Sequence, residues 1–149
     1  MGLHFEDFAS DTAVVSDGRT VTEADLVAFA ALTGDATALH LDEEYAKATR
    51  FGRRIAHGAL IFGMSIGLAT QTGILDETVI AFAGVDKLRF VTPVFIGDTI
   101  HVEKRVLERK DLGSSQGAVT FESRVVNQRG ELVLVYLDKL LIKRRMQVR

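Results

Sequence analysis

Gly58 to Thr70 is the stretch that most limits how this chain can fold. Leu60, Ile61, Phe62, Met64, Ile66 and Leu68 fall on every side of a helix drawn through it. A helix apolar all round is buried in a core rather than laid on a surface. Ala59, Gly63 and Gly67 recur at four-residue spacing along one side, which lets a sheet or a second helix approach the backbone. The apolar run from Ala59 to Ala69 is interrupted by Gly63, Ser65 and Gly67 and is too short to span a bilayer. The rest of the chain therefore has to wrap this helix.

The pattern on either side supplies the wrapping. Before it, Thr22-Glu23-Ala24-Asp25 reads as a capping box, and Leu26, Phe29, Ala30 and Leu32 repeat at helical spacing until Gly34. This predicts a helix from Glu23 to Thr33, with Asp35 just past its end. Asp42 caps a second short helix that ends near Thr49, and His40 falls in the loop between the two. After the buried helix the period changes to that of strands, over Val79–Val91, Thr99–Arg109, Gly117–Asn127 and Leu132–Lys143. Val119, Phe121 and Val125 alternate with polar neighbours, so one face of the third strand is wet, whereas Leu132 to Leu137 is apolar on both faces and belongs in the sheet centre. Helices followed by antiparallel strands give an α+β architecture with a helix packed on one sheet. At 149 residues and 47% hydrophobic content, the expectation is one domain covering 1–149.

Several function classes drop out. A formal charge of −2 with both signs dispersed leaves no footprint for nucleic acid. The locally basic tail from Lys143 to Arg149 reads as a solvated, partly disordered end. The absence of cysteine removes disulfides, thiolate catalysis and Cys-based metal sites. The N-terminus has neither the basic nor the long apolar segment of a signal peptide, so a cytoplasmic protein without membrane association is expected.

The chemistry concentrates between residues 35 and 58. Asp35 and His40 are close enough in sequence to aim both heads at one water, and a glycine-started helix offers free backbone N–H groups nearby. Three spacings occur together: Asp35-x-x-x-x-His40, Phe51-x-x-x-Ile55-x-His57-Gly58 opening the buried helix, and Pro93-Val94-x-x-Gly97-Asp98 before a strand. In this combination, from about Thr22 to Leu141, the chain resembles the MaoC-like dehydratases, also called (R)-specific enoyl-CoA hydratases. The resemblance implies the hot-dog fold, a curved antiparallel sheet around a long central helix, and assembly as at least a homodimer with acyl-CoA running toward the interface. It also implies addition of water to a trans-2-enoyl-CoA, reversibly giving an (R)-3-hydroxyacyl-CoA, with no cofactor.

Carried onto this sequence, Asp35 and His40 grip the water and the Gly58 N–H stabilises the enolate oxygen of the thioester. Thr37 and Ala38 stand where the family often has Asn and Pro, which suggests a looser loop. A serine that some relatives place in the central helix aligns with Ile66 rather than Ser65, so no catalytic serine is assigned. Arg53 and Arg54 suit the phosphates of coenzyme A, while Phe51, Ile55, Leu60 and Phe62 are candidates to line an acyl tunnel, a pattern that core packing explains equally well. His57 is assigned first to holding the turn before the helix, with a substrate contact as its second role. No metal site is expected, because His40, Asp42 and His57 lack further ligands at a recognisable spacing. Two competing functions fit the same fold: a hot-dog thioesterase and a noncatalytic acyl-CoA-binding protein.

Overall fold

The computed structural model describes residues 1–146. A 3-10 turn at Phe5–Asp7 and two short strands, β1 (Ala13–Val15) and β2 (Arg19–Thr20), lead into helices α1 (Glu23–Thr33), α2 (Ala38–Leu41) and α3 (Glu43–Lys47). Helix α4 (Gly58–Gln71) follows, then the long strands β3 (Val79–Phe90), β4 (Thr99–Asp111), β5 (Gln116–Asn127) and β6 (Leu132–Lys143). All pair antiparallel in one six-stranded sheet ordered β1-β4-β5-β6-β3, with β2 also on β4.

The sheet and α4 share one core. Ile61, Leu68 and Ala69 from the helix pack with Ile100, Val102, Val125, Leu134 and Tyr136 from the strands. The N-terminus closes the far end, where Phe5 and Phe8 join Val106, Phe121 and Ile142 in a second cluster. Gly117 permits this approach, since a Cβ there would sit 2.3 Å from the Phe5 ring. Among the described residues, no helix is long and apolar enough to cross a membrane.

Three expectations change. Helix α4 is not enclosed on every side: Ala59, Gly63 and Gly67 are exposed, and nothing lies within 4 Å of a Cβ built on either glycine. The small-residue stripe faces away from the sheet that packs on the other side of the helix. His40 lies within the short helix α2 rather than in a loop. The basic tail is also tied down as far as it is described, with Arg144 paired to Glu6 and Asp111, and Arg145 to Asp7. Residues 147–149 of that tail lie outside the described residues.

Strand alternation also places a charged row beneath α4. Lys104 is directly opposite Ser123, Ser123 opposite Tyr136, and Phe121 opposite Asp138, all pointing to the helix side of the sheet. The Lys104 ammonium donates to Asp138 Oδ2 and, at 3.0 Å, to Ser123 Oγ; Ser123 in turn donates to Asp138 Oδ1 at 2.8 Å. Both charged side chains are 3% exposed. Removing one partner of such a pair leaves an uncompensated buried charge, whereas replacing both with apolar groups costs little. Lys104→Met is therefore expected to lower stability by about 3–5 kcal/mol, and Lys104→Met/Asp138→Leu to recover wild-type stability. Urea unfolding checks this; equal losses in the single and double variants would contradict a coupled pair.

Candidate active site

Helix α1 stops because Gly34 takes the left-handed conformation, φ 81°, and returns its N–H to Ala30 O. Asp35 emerges immediately after this stop, exposed to solvent, with its N–H on Thr33 Oγ1. Thr37 then reaches back: its hydroxyl donates to Asp35 Oδ1 at 2.6 Å and its backbone N–H donates to the same oxygen at 3.3 Å. The looser loop suggested by the loss of Asn and Pro is thus replaced by a hydroxyl that clamps the carboxylate. The Thr37 side chain, followed by its backbone N–H, holds the Asp35 pKa below the usual carboxylate range. Asp35 is accordingly ionised at neutral pH, and among the described residues none donates to its second oxygen, Oδ2.

His40 and His57 complete the cluster. His40 Nδ1 lies 2.7 Å from Ile55 O, and a carbonyl can only accept, so Nδ1 carries the proton and a neutral ring has its lone pair at Nε2. By the same reasoning His57 Nε2–H donates to Asp35 O at 2.9 Å. The His57 ring is 2% exposed and stacks on His40, with centroids 3.8 Å apart and planes 26° apart; Phe29 lies against it at 4.8 Å. His57 thus touches the backbone of the acid and the face of the imidazole at once. A carboxylate oxygen of Asp35 and a ring nitrogen from each histidine all lie within 4.8 Å of one another. Three possible metal donors do meet here, contrary to the reading from spacing, but nearly parallel stacked rings hold their in-plane lone pairs in separate layers rather than on one ion.

His57 is also the N-cap of α4, so Gly58 is the first helical residue and its N–H lies among the amides that lack an intrahelical partner. A Cβ on Gly58 would be 2.7 Å from the Phe90 ring, so close packing also favours glycine here. Gly58 borders a cavity of about 530 Å³, together with Ile55, Phe51, Arg50, Phe90 and Val133. Asp35 and His40 are not part of this lining, although Ile55, whose carbonyl holds His40, is.

The family model described as MaoC like domain matches residues 7–127. The chain belongs to the MaoC-like family. It is 39% identical to "Protein MaoC" of Klebsiella aerogenes over 66% of this chain, a match that spans only 29% of that much longer protein. It is 34% identical to the (R)-specific enoyl-CoA hydratase of Aeromonas caviae over 74% of this chain and 78% of that one. Its structure superposes with a TM-score of 0.91 on a chain described as a monoamine oxidase regulatory protein from Archaeoglobus fulgius, 42% identical, covering 97% of each. The fold is the hot-dog fold that the resemblance implied, and relatives in the family include proteins named as hydratases and dehydratases.

The expected residues divide. Asp35, His40 and His57 come together, and Gly58, Ile55 and Phe51 line one cavity. Arg54 is already engaged: Glu43 holds its Nε at 2.7 Å and Glu23 its Nη1 at 2.9 Å, so it has little freedom to meet a phosphate. Arg53 is exposed and lies over the Phe95 ring at 3.8 Å. Phe62 packs edge-on against Tyr136 at 5.0 Å as a core residue and is outside the Gly58 cavity. Two residues were missed. Arg50, over the Phe51 ring at 4.9 Å, lines the cavity with it, and Thr37 clamps Asp35; the second was readable as a hydroxyl two residues after an aspartate, a common turn pattern.

Because the Thr37 contacts favour the ionised carboxylate, Thr37→Val should raise the Asp35 pKa toward its ordinary value. Carbon-13 NMR of the Asp35 carboxyl is expected to show a higher titration midpoint in the variant. An unchanged midpoint would mean that the clamp does not set the charge.

Proposed function

We propose that this protein adds water to a trans-2-enoyl-CoA to give an (R)-3-hydroxyacyl-CoA, and catalyses the reverse, without a cofactor. The observation that carries the proposal is the pairing of two hydrogen-bond acceptors, the ionised Asp35 and the bare Nε2 of His40, beside the start of α4. A water that donates one hydrogen to each keeps a lone pair free for Cβ. Two bonds of about 2.8 Å at the water angle span about 4.5 Å, which compares with the 4.8 Å within which a carboxylate oxygen of Asp35 and a ring nitrogen of His40 lie.

In the forward direction the water oxygen bonds to Cβ as the C=C electrons move toward the thioester carbonyl, and the water proton passes to the Asp35/His40 pair. The resulting enolate oxygen takes the Gly58 N–H, favoured by the positive end of α4. Collapse of the enolate draws the same proton to Cα, so water is added overall and the pair is restored. Both bonds form on the face that the pair addresses. Arg50 and Arg53, which make no ion pair among the described residues, are candidates to meet the phosphates of coenzyme A.

The second expected partner is another copy of the chain. Strand β3 is a free sheet edge, and Ile80, Phe82 and Phe90 on it are 43–58% exposed next to the uncovered Ala59, Gly63 and Gly67 of α4. A long exposed apolar edge invites strand pairing, which supports a homodimer joined along β3. A cytoplasmic location accords with a metabolic thioester as substrate.

Crotonyl-CoA tests the reaction: loss of the conjugated thioester absorbance without release of thiol is expected. Asp35→Asn and His40→Ala should each lower turnover by roughly two or more orders of magnitude with the fold intact. Thiol release would favour a thioesterase, and near-wild-type rates in both variants would remove the assigned roles.

A further inference from the structure

A second cavity, of about 310 Å³, lies between the C-terminal half of α4 and the sheet. Ile66 and Ala69 of the helix and Leu140 of β6 give it apolar walls, and it reaches the surface at the exposed Thr70 and Phe82 on the free β3 side. Its inner wall is different in kind, because it is built from Lys104, Asp138 and Tyr136. Protein interiors are close-packed, and a buried ion pair is commonly no more stabilising than apolar residues of the same volume. A cavity beside a buried charged pair therefore combines two features that stability alone does not explain.

The hydrogen bonds of this wall leave one donor unused. Ser65 Oγ donates to Phe62 O at 2.6 Å, so at 2.7 Å it accepts from the Tyr136 hydroxyl, which burial pushes up to about 12 and keeps protonated. Ser123 donates to Asp138 and accepts from Lys104. The Lys104 ammonium has three hydrogens, of which Asp138 and Ser123 take two. Among the described residues, no oxygen accepts the third, while the Phe121 ring lies 4.3 Å from Nζ. An oxygen entering the cavity would find a buried donor already held in place.

The cavity lies on the same helix as the Gly58 N–H. Eight residues separate Gly58 from Ile66, about 12 Å along the axis at 1.5 Å per residue. An extended acyl chain of medium length on a thioester held at Gly58 spans that distance.

We propose that this cavity receives the far end of the acyl group and that Lys104 selects chains ending in an oxygen function, a hydroxyl or a carboxylate, over chains ending in a methyl. This rests on the hydratase reading. A site built to hydrogen-bond a substrate oxygen discriminates against an analogue that lacks it much more strongly than an apolar pocket discriminates by size. Lys104 is thus a specificity residue, with Asp138 and Ser123 holding its ammonium.

The test compares enoyl-CoAs of matched length over a ladder of medium chains, ending in methyl, hydroxyl or carboxylate, with crotonyl-CoA as the control for hydration itself. The wild type is expected to favour at least one oxygen-terminated series by about tenfold or more in kcat/KM. Lys104→Met/Asp138→Leu should bring that ratio close to one. Equal or better turnover of the methyl series by the wild type, or an unchanged ratio in the double variant, overturns the proposal even if crotonyl-CoA is hydrated. If no enoyl-CoA is hydrated, the hydratase reading fails separately. Calorimetric binding of the saturated matched pairs then decides the cavity: tighter binding of the oxygen-terminated analogue supports selection by Lys104, and equal binding overturns it. Because these comparisons include the wild type alone, a double variant that fails to fold does not shelter the proposal.

Discussion

The buried ring of His57 is the contact on which the geometry of the site depends. It donates to Asp35 O and stacks on His40, and its own backbone is the N-cap position immediately before Gly58, so a single residue links the acid, the imidazole and the amide. These groups come from three places in the chain: Asp35 follows a helix end, His40 sits in a helix of only four residues, and Gly58 opens α4. Burial at 2% exposure gives the ring one orientation, and the carbonyl on Nε2 gives it one tautomer. The proposed chemistry needs such preorganisation, since a water shared between two acceptors is aimed only as well as the acceptors are fixed.

Charge and hydrogen bonding then distinguish two acceptors that sequence spacing treats alike. Thr37 favours the charged form of Asp35, and Ile55 O holds a proton on His40 Nδ1, so Asp35 is an anion at neutral pH and a neutral His40 ring presents its lone pair at Nε2. The pair can therefore take a proton from water without first giving one up. A different balance holds under the far end of α4. There burial lowers the Lys104 pKa while Asp138 raises it, and the two charges persist in the core only as a pair.

Much of this was legible in the sequence, for identifiable physical reasons. Helix α1 ran from Glu23 to Thr33 as expected because its capping box and its terminal glycine are local signals. The long strands β3 to β6 appeared within two residues of their expected limits because their alternation is long enough to exclude a helix. Strands β1 and β2, three and two residues long, carry no such pattern; pairing with β4 defines them. The engagement of Arg54 by Glu23 and Glu43 was hidden because one partner lies 31 residues away. Lys104 sits in the run Glu103-Lys104-Arg105 and reads as part of a solvated face, although the strand period places it on the same side as Val102 and Val106. Only the cross-strand partners Ser123 and Asp138 explain why a lysine occupies that position.

Hydration of crotonyl-CoA in deuterated water, with the product resolved by proton NMR, tests most directly whether one water and one acid–base pair serve one face of the substrate. Deuterium at a single diastereotopic position of Cα, on the same side as the new hydroxyl at an (R)-configured Cβ, is the expected result. Deuterium on the opposite side, or scrambled over both positions, would mean that Cα takes its proton from a group other than Asp35 and His40, and would contradict the shared-water site.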